Sequence, residues 1–326
     1  MQTDQNATQA QRFTYYDAIG DNTHIAGVTI GLKWSELEAA QGDYSPGIEL
    51  ITATLKKLKS LPTPKRLFIR MHPMCYGSSC TDAAHLAKYY PGYVVKMGGA
   101  GPITSGTLVA FWKPAVNDRY IALMQALAKA FDNDPYFEGI APIRETSAGP
   151  VNGNFTIDAL YEQWRRLAAA SASAFVKSNV VFFVNGMGGQ ENVDKFIAYL
   201  YPLQVGVGAP DTCGLDLCGE KRLNSVRTLA GLSGGTDYRG KMPIIWSVEG
   251  TELGLAKMGP PGGYTAKQIF DIVNSEPRTS HMLWSRIMYT GTAAQKWDPG
   301  MLAVINANPL THTSCPKAYT QGCITD

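Results

Sequence analysis

The distribution of apolar residues along the chain predicts strands that alternate with helices. Short apolar runs bounded by polar or turn-forming residues are typical of strands buried on both faces of a sheet. Between these runs, apolar residues recur at spacings of three and four, as on one face of a helix. Seven predicted strands reach a loop at their C-terminal end, and they span residues 25–33, 66–72, 137–145, 180–185, 205–211, 243–249 and 280–289.

Alternating strands and helices imply an α/β fold with a parallel sheet, and a count close to eight favours a (β/α)8 TIM barrel. No G-x-G-x-x-G pattern follows a predicted strand, which argues against a dinucleotide-binding sheet. One strand is missing from the count. Residues 6–19 carry Phe13, Tyr16 and Ile19 at spacings of three and are predicted to form a helix, although 13–19 is also compatible with a strand. We therefore expect the first strand to be irregular or missing from this sequence.

Length and composition fit one globular domain. The chain has 326 residues, of which 45% are hydrophobic and 17% charged, and barrels of this kind commonly reach such a length as one unit. We therefore expect residues 1–326 to form a single barrel domain. A net charge of only +2, without a block of Lys or Arg, argues against nucleic acid as the main partner. No apolar run approaches the roughly 20 residues that span a bilayer, so no membrane insertion is expected.

Two of the predicted strands run directly into a glutamate. One leads to Glu145, which is followed by small and turn-forming residues, and the other leads to Glu249, which is followed by glycine. Because catalytic side chains lie at the C-terminal ends of the strands in such barrels, we expect the two carboxylates to meet in space. The alternative for each is an ordinary carboxylate at the end of a strand. Glu252 is a second candidate in the loop that follows Glu249.

The six cysteines form three close pairs. The simplest interpretation is three local disulfides, which would place the protein in an oxidising compartment, either secreted or periplasmic. Free thiols or a zinc site are the alternative, although only His72 and His85 lie near a pair. The N-terminal residues MQTDQNATQAQR lack the basic and apolar regions of a signal peptide. The pairs are Cys75 with Cys80, Cys213 with Cys218, and Cys315 with Cys323.

Residues 34–44 carry a family resemblance. Trp34-Ser-Glu-Leu-Glu38 with Gly42-Asp-Tyr44 resembles the Trp-x-x-Leu-Glu-Pro and Gly-x-Tyr signature at the second strand of clan A glycoside hydrolases. These are retaining (β/α)8 enzymes that include families 5 and 42. In that clan the acid/base glutamate ends strand four and the nucleophile ends strand seven, and the same count reaches Glu145 and Glu249 here. The resemblance spans nearly the whole chain and assigns the clan, not a family.

The resemblance implies a retaining β-glycosidase that cleaves a polysaccharide or oligosaccharide by double displacement and needs no metal or other cofactor. Such chemistry uses two carboxyl groups about 5 Å apart, one protonated and one ionised. Glu145 would be the acid/base and Glu249 the nucleophile. Two positions depart from the clan pattern, since Arg144 stands in place of Asn and Ala39 in place of Pro. Arg144 either contacts a substrate hydroxyl or alters the proton affinity of the acid.

Further residues are predicted to contact the carbohydrate. Arg70 and His72 share one face of their strand, so both can point into the barrel, although Arg70 is also compatible with a core ion pair. By the resemblance, Trp284 is a candidate platform beneath a sugar ring, with core packing as its alternative. The complete predicted set is Trp34, Arg70, His72, Trp112, Arg144 and Trp284.

Other interpretations fit less well. A metal-dependent barrel hydrolase needs clustered histidines, and the five histidines here form no H-x-H or H-x-x-x-H pattern. Glu36 and Glu38 are interpreted as capping or solvated residues and not as catalysts. The main rival is a catalytically silent or impaired barrel that only binds carbohydrate.

Overall fold

The chain forms a nearly closed α/β barrel. The computed structural model describes residues 1, 7–103, 106–146, 155–209, 224–248, 263–286 and 297–308. Its seven barrel strands are β1 (Gly27–Leu32), β2 (Arg66–Met71), β6 (Phe137–Ala141), β7 (Asn179–Phe183), β8 (Gly206–Ala209), β9 (Ile244–Val248) and β10 (His281–Trp284). They are hydrogen-bonded in that order, and every neighbouring pair is parallel. The predicted strands and the predicted fold class are confirmed.

Helices connect the strands and cover the outside of the barrel. They are α1 (Gln9–Asp17), α2 (Trp34–Leu37), α3 (Ser45–Lys59), α4 (Ala83–Tyr89), α5 (Gly92–Lys96), α6 (Pro114–Phe131), α7 (Ile157–Ala174), α8 (Gln190–Leu200), α9 (Asn224–Leu229), α10 (Ala266–Ser275) and α11 (Leu302–Ala307). A single π-helical turn, Trp297–Met301, precedes α11. None of the helices in the described ranges is both long and apolar enough to cross a membrane.

The N-terminal segment is helix α1, in agreement with the helical prediction. The Thr8 hydroxyl accepts a hydrogen bond from the Gln11 backbone at 3.3 Å, and the Gln11 side chain accepts one from the Thr8 backbone at 2.8 Å. This reciprocal cap begins the helix.

Met1 lies on the outer edge of β1. Its amino group donates to the Gly27 carbonyl at 2.8 Å, and Thr29 N–H donates to the Met1 carbonyl at 2.7 Å. Met1 therefore bonds to β1 as a neighbouring strand would.

Side chains bridge the gap between β1 and β10. The guanidinium of Arg286, just after β10, lies 4.1 Å from the centre of the Tyr15 ring on α1. The Asn22 amide donates to the Asn306 side chain at 2.9 Å. Within the described ranges, β1 and β10 are not paired with each other. These side-chain contacts connect the first and last parts of the barrel instead.

Two apolar layers stabilise the barrel. Alternate residues of a strand point to opposite faces, so Phe68 belongs to the layer inside the barrel, whereas Leu67 and Ile69 belong to the layer beneath the helices. The inner layer consists of Phe68, Ala141, Val181, Phe183, Ile245 and Leu283. The inner face of the barrel is therefore filled below the rim where the strands end.

The long connection between β2 and α6 is a folded insertion. Strands β3 (Met74–Tyr76), β4 (Ala100–Ile103) and β5 (Gly106–Val109) form an antiparallel sheet with β5 in the centre. A disulfide joins Cys75 to Cys80, which confirms one of the three predicted pairs. The other four cysteines lie outside the described residues. The sequence pattern did not predict this sheet, because strands of three or four residues are too short to show a periodic pattern.

A β-bulge at the start of β6 turns one carboxylate into the barrel. Leu67 pairs with Phe137 and Phe68 pairs with Gly139, so Glu138 is the extra residue of the bulge. Only 8% of Glu138 is exposed.

The Glu138 carboxylate is the centre of a polar cluster at the N-terminal end of the barrel. It accepts hydrogen bonds from His281 Nε2 at 2.9 Å and Asn179 Nδ2 at 3.1 Å, and it lies 3.5 Å from Arg66 Nη1. These partners stand at or near the starts of β10, β7 and β2, so the cluster ties together strands from different sides of the barrel. Buried charges of this kind are costly to leave without a partner.

We expect Glu138→Gln to destabilise the barrel without a change in side-chain size. Loss of the negative charge that faces Arg66 and His281 should lower the free energy of unfolding by about 2 kcal/mol, measured by urea denaturation. Glu162→Gln is the matched control, because Glu162 pairs with Arg165 on the surface, and its effect should stay below about 0.5 kcal/mol. Equally small effects in the two variants would contradict a stabilising role for the cluster.

Candidate active site

Glu145 lies at the rim formed by the C-terminal ends of the barrel strands. Glu145 is the fourth residue after the end of β6, and Ile143, two residues before it, is buried. The Tyr120 hydroxyl donates to the Pro142 carbonyl at 2.8 Å and fixes this segment to α6. Glu145 itself is partly exposed.

Each carboxylate oxygen of Glu145 accepts a hydrogen bond from a neutral side chain. The Tyr76 hydroxyl donates to Oε1, and Asn185 Nδ2 donates to Oε2 at 3.2 Å. Tyr76 comes from the insertion and Asn185 from the segment after β7. Two separate parts of the fold therefore set the orientation of this carboxylate.

Thr146 fixes the Asn185 side chain. Thr146 N–H donates to Asn185 Oδ1 at 2.9 Å, and the Thr146 hydroxyl donates to the Asn185 carbonyl at 2.7 Å. Because the amide oxygen accepts from a backbone N–H, the amide nitrogen must be the atom that faces Glu145. The loops after β6 and β7 are joined at the position where the acid is held.

Arg70 crosses the interior of the barrel. It is buried, as its position on the inward face of β2 predicts, and its Nη1 donates to Ser247 Oγ of β9 at 2.9 Å. Its guanidinium also lies 5.7 Å from the centre of the Phe183 ring. Ser247 lies two residues before Glu249, which is itself outside the described residues. Arg70 thus links β2 to the strand that leads to the second predicted carboxylate.

His72 is a buried neutral histidine among positive charges. Only 3% of it is exposed, and burial, followed by the positive charges of Arg144, Arg70, Lys33 and Arg12, holds the pKa of His72 well below its usual 6.5. Among the described residues, its Nε2 has no hydrogen-bond partner. A neutral imidazole in this position can donate or accept a hydrogen bond without adding charge.

Arg144 and Trp112 also lie in the described part of the rim. The guanidinium of Arg144 lies 5.9 Å from the centre of the Tyr76 ring, so the residue before Glu145 packs beside the donor to Glu145. Trp112 is partly exposed and makes an edge-to-face contact with Phe155, with ring centres 5.2 Å apart. The predicted binding role of each stays a prediction.

Trp34 is a core residue. It has 0% exposure, its indole N–H donates to Glu38 Oε2 at 2.6 Å, and its ring meets Tyr93 and Tyr120 edge to face. A side chain without exposed surface cannot stack on a sugar, so we correct its predicted place in the cleft. Trp284 is also buried in the layer beneath the helices, which favours the core-packing alternative over a sugar platform.

Glu36 and Glu38 are structural, as expected from the sequence. Glu36 accepts from the Lys33 backbone at 2.7 Å and caps α2. Buried Glu38 accepts from the Gly42 backbone at 2.7 Å and pairs with Arg119 at 3.1 Å. The glutamate of the clan-like signature thus stabilises the turn after β1.

Two other kinds of hydrolytic site receive no support. Within the described ranges, no group of three or more His, Cys, Asp or Glu side chains is arranged to hold a metal ion. Residues 231–235 spell G-x-S-x-G, but the pattern follows helix α9, whereas a serine nucleophile needs the turn from a strand into a helix. Ser233 instead donates to Asp194 at 2.9 Å on the surface.

Solved structures with the same fold are glycoside hydrolases. No protein-family model matches the sequence, and no curated protein matches it. Endo-glycoceramidase II from Rhodococcus sp. superposes with a TM-score of 0.56 at 15% identity over 92% of this chain and 73% of that one. GH5_18 from Streptomyces cattleya, in complex with GlcNAc, gives 0.56 at 12% identity over 94% and 77%. The structure of XacCel5A gives 0.52 at 13% identity over 92% and 89%.

The clan A resemblance is confirmed at the level of the fold. These neighbours are family 5 and clan A barrels, and at such low identity they establish the architecture alone.

The sequence did not predict the contact between Tyr76 and Glu145. Its one available signal was the position of Tyr76 beside Cys75, which anchors it.

We expect Gly31→Ala to displace His72. A Cβ at position 31 would lie 2.4 Å from His72 Nε2, and the buried imidazole has little space to move. The free energy of unfolding should fall by about 1–3 kcal/mol in urea denaturation. Gly235→Ala is the control, since a Cβ there meets no atom within 4 Å, and it should change stability by less than about 0.5 kcal/mol. Similar values for both variants would rule out close packing of His72 on β1.

The buried His72 should make the protein less stable in acid than a variant without it. Below pH 6.5 the unfolded chain binds a proton at His72 and the native protein does not, because its native pKa is depressed. The free energy of unfolding of the wild type should therefore fall relative to that of His72→Gln by about 1.4 kcal/mol for each pH unit below 6.5. Urea denaturation between pH 7.5 and 5 measures this difference. Parallel pH dependences would show that the native histidine titrates normally.

Proposed function

We propose that the protein is a retaining β-glycoside hydrolase that cleaves a polysaccharide or oligosaccharide by double displacement. Glu145 is the acid/base and Glu249 is the nucleophile. The observation that carries the proposal is the placement of Glu145 at the C-terminal rim of the barrel, with both oxygens oriented by neutral donors. Similarity in fold to glycoside hydrolases supports the same class of reaction.

The contacts of Glu145 suit both of its proposed states. Two accepting oxygens are the arrangement of an ionised carboxylate, which is the state that activates water in the second step. In the first step the carboxyl group carries a proton. The Tyr76 hydroxyl can then rotate and accept a hydrogen bond, because a hydroxyl both donates and accepts.

The register of β9 supports Glu249 as the nucleophile. Ile245 belongs to the layer inside the barrel, and Ser247 meets Arg70 across the interior. Glu249 follows Ser247 by two residues, which is the spacing of side chains on one face of a strand. One structure of the Rhodococcus enzyme contains a lactosyl-enzyme intermediate, which is the kind of covalent species that a carboxylate nucleophile forms.

The proposed reaction has two steps. The Glu249 carboxylate attacks the anomeric carbon while Glu145 gives its proton to the departing glycosidic oxygen, and a covalent glycosyl-enzyme forms. Glu145 then takes a proton from water as the water oxygen attacks the same carbon and releases Glu249. Two inversions give overall retention, and the two carboxyl groups need a separation of about 5 Å.

Carbohydrate binding is assigned to polar groups of the rim. Partly exposed Arg144 supplies hydrogen-bond donors for sugar hydroxyls, and partly exposed Trp112 offers an aromatic edge to the cleft. Arg70 and neutral His72 are buried, and we propose that they meet sugar hydroxyls from beneath the rim. The Cys75–Cys80 disulfide supports a secreted or periplasmic location, where such bonds persist.

We expect wild-type protein to hydrolyse at least one member of a panel of aryl β-glycosides and β-linked polysaccharides. Glu145→Ala should lose about 10²- to 10⁴-fold in kcat/KM on substrates with poor leaving groups, and Glu249→Ala should lose turnover altogether. Sodium azide should rescue Glu249→Ala with release of the glycosyl azide of inverted configuration. It should give the azide of retained configuration with Glu145→Ala, and NMR of the products distinguishes the two.

Glu252→Ala is the control, because Glu252 lies three residues after Glu249 in the sequence. It should keep wild-type turnover. Rescue of this variant with inversion, in place of Glu249→Ala, would transfer the nucleophile role to Glu252. Wild-type activity in both Glu145→Ala and Glu249→Ala would place the site elsewhere, and a wild type that binds but never cleaves these glycans would favour a carbohydrate-binding barrel.

A further inference from the structure

We infer that Tyr76 is a positioning residue for the acid/base Glu145, and that the Cys75–Cys80 disulfide holds Tyr76 in place. The inference rests on the proposed function of Glu145. Of these two donors to the Glu145 carboxylate, Asn185 belongs to the barrel, whereas Tyr76 belongs to the insertion between β2 and α6. The insertion thus has a role in the chemistry besides covering the cleft.

The backbone at Tyr76 is fixed from two sides. Tyr76 is the last residue of β3 and pairs with Gly106 of β5. The preceding residue, Cys75, is buried and covalently joined to Cys80. A short strand at the edge of a small sheet is weakly held by itself, so the disulfide gives the Tyr76 backbone a second anchor.

Packing does not account for the position of the Tyr76 side chain. The residue is 41% exposed, the most exposed aromatic side chain among the large hydrophobic residues described. Its hydroxyl donates a hydrogen bond to Glu145, and the Arg144 guanidinium lies beside its ring. Both contacts lie on the segment that carries the acid, so the geometry points to a role at Glu145.

The chemical effect follows from the direction of the hydrogen bond. A hydroxyl that donates to a carboxylate stabilises the ionised form. As Glu145 gives its proton to the leaving oxygen, negative charge develops on the carboxylate, and the Tyr76 hydrogen bond becomes stronger in the transition state than in the bound ground state. The benefit is largest for poor leaving groups, because they need the most proton transfer.

The test compares kcat/KM of wild type and Tyr76→Phe on two aryl β-glycosides of a sugar that the wild type cleaves. One carries a 2,4-dinitrophenyl leaving group and the other a phenyl leaving group. For Tyr76→Phe we expect a loss of about tenfold on the phenyl glycoside and less than about twofold on the dinitrophenyl glycoside.

Tyr161→Phe is the matched control, since Tyr161 lies on α7 and packs on Phe196. It should match the wild type on both substrates. A Tyr76→Phe variant with equal losses on both substrates would assign Tyr76 a purely structural role and overturn the inference. Failure of the proposed function is distinguishable, because the wild type and Tyr161→Phe would then cleave no aryl β-glycoside of the panel.

The double variant Cys75→Ser/Cys80→Ser tests the anchor. It should lose kcat/KM on the phenyl glycoside and keep it on the dinitrophenyl glycoside, as Tyr76→Phe does. When a reductant is added to the wild type, free thiols should appear and the same loss of kcat/KM on the phenyl glycoside should accompany them. A double variant with wild-type kinetics on both substrates would overturn the part assigned to the disulfide while the Tyr76 result stands.

Discussion

Parallel pairing of the barrel strands is the constraint on which the rest of this structure depends. Because all seven strands run in one direction, their carboxyl ends open at one rim and their amino ends at the other. Side chains alternate across each strand, so each strand offers every second residue to the interior. Apolar residues occupy the middle of that interior, and polar residues follow at the rim. A chain that satisfies this pairing therefore brings Arg70, His72 and Glu145 to one end of the molecule.

The two ends of the barrel each hold a glutamate, and the surroundings of the two carboxylates differ in burial and charge. At the amino end, Glu138 is buried and matched by His281, Asn179 and Arg66, and the result is a cluster that joins strands. At the carboxyl end, Glu145 stays partly exposed and is met by neutral donors. Matched buried charge favours rigidity, whereas the partly exposed Glu145 carboxylate is open to solvent.

The barrel and the insertion each contribute a residue that orients the Glu145 carboxylate. Thr146 joins the loops after β6 and β7 and fixes Asn185 through backbone contacts that belong to the barrel. Tyr76 approaches from outside the barrel and depends on a disulfide and a short strand. The chemistry of the acid can therefore be altered through the insertion without any change in the strands.

The sequence by itself determined the strands, the helix at the N-terminus, the inward face of β2 and the position of Glu145 at the end of a strand, because these follow from periodicity within one segment. It identified the three cysteine pairs but could establish none of them, and the structure describes only the first. The sequence could not determine the place of Trp34, because its signature is compatible with a cleft residue or a core residue. Its contacts with Tyr93, Tyr120 and Glu38 place it in the core. The partners of Glu145 were likewise decided by tertiary structure, since Tyr76 and Asn185 meet it from distant parts of the chain and no local pattern records such a contact.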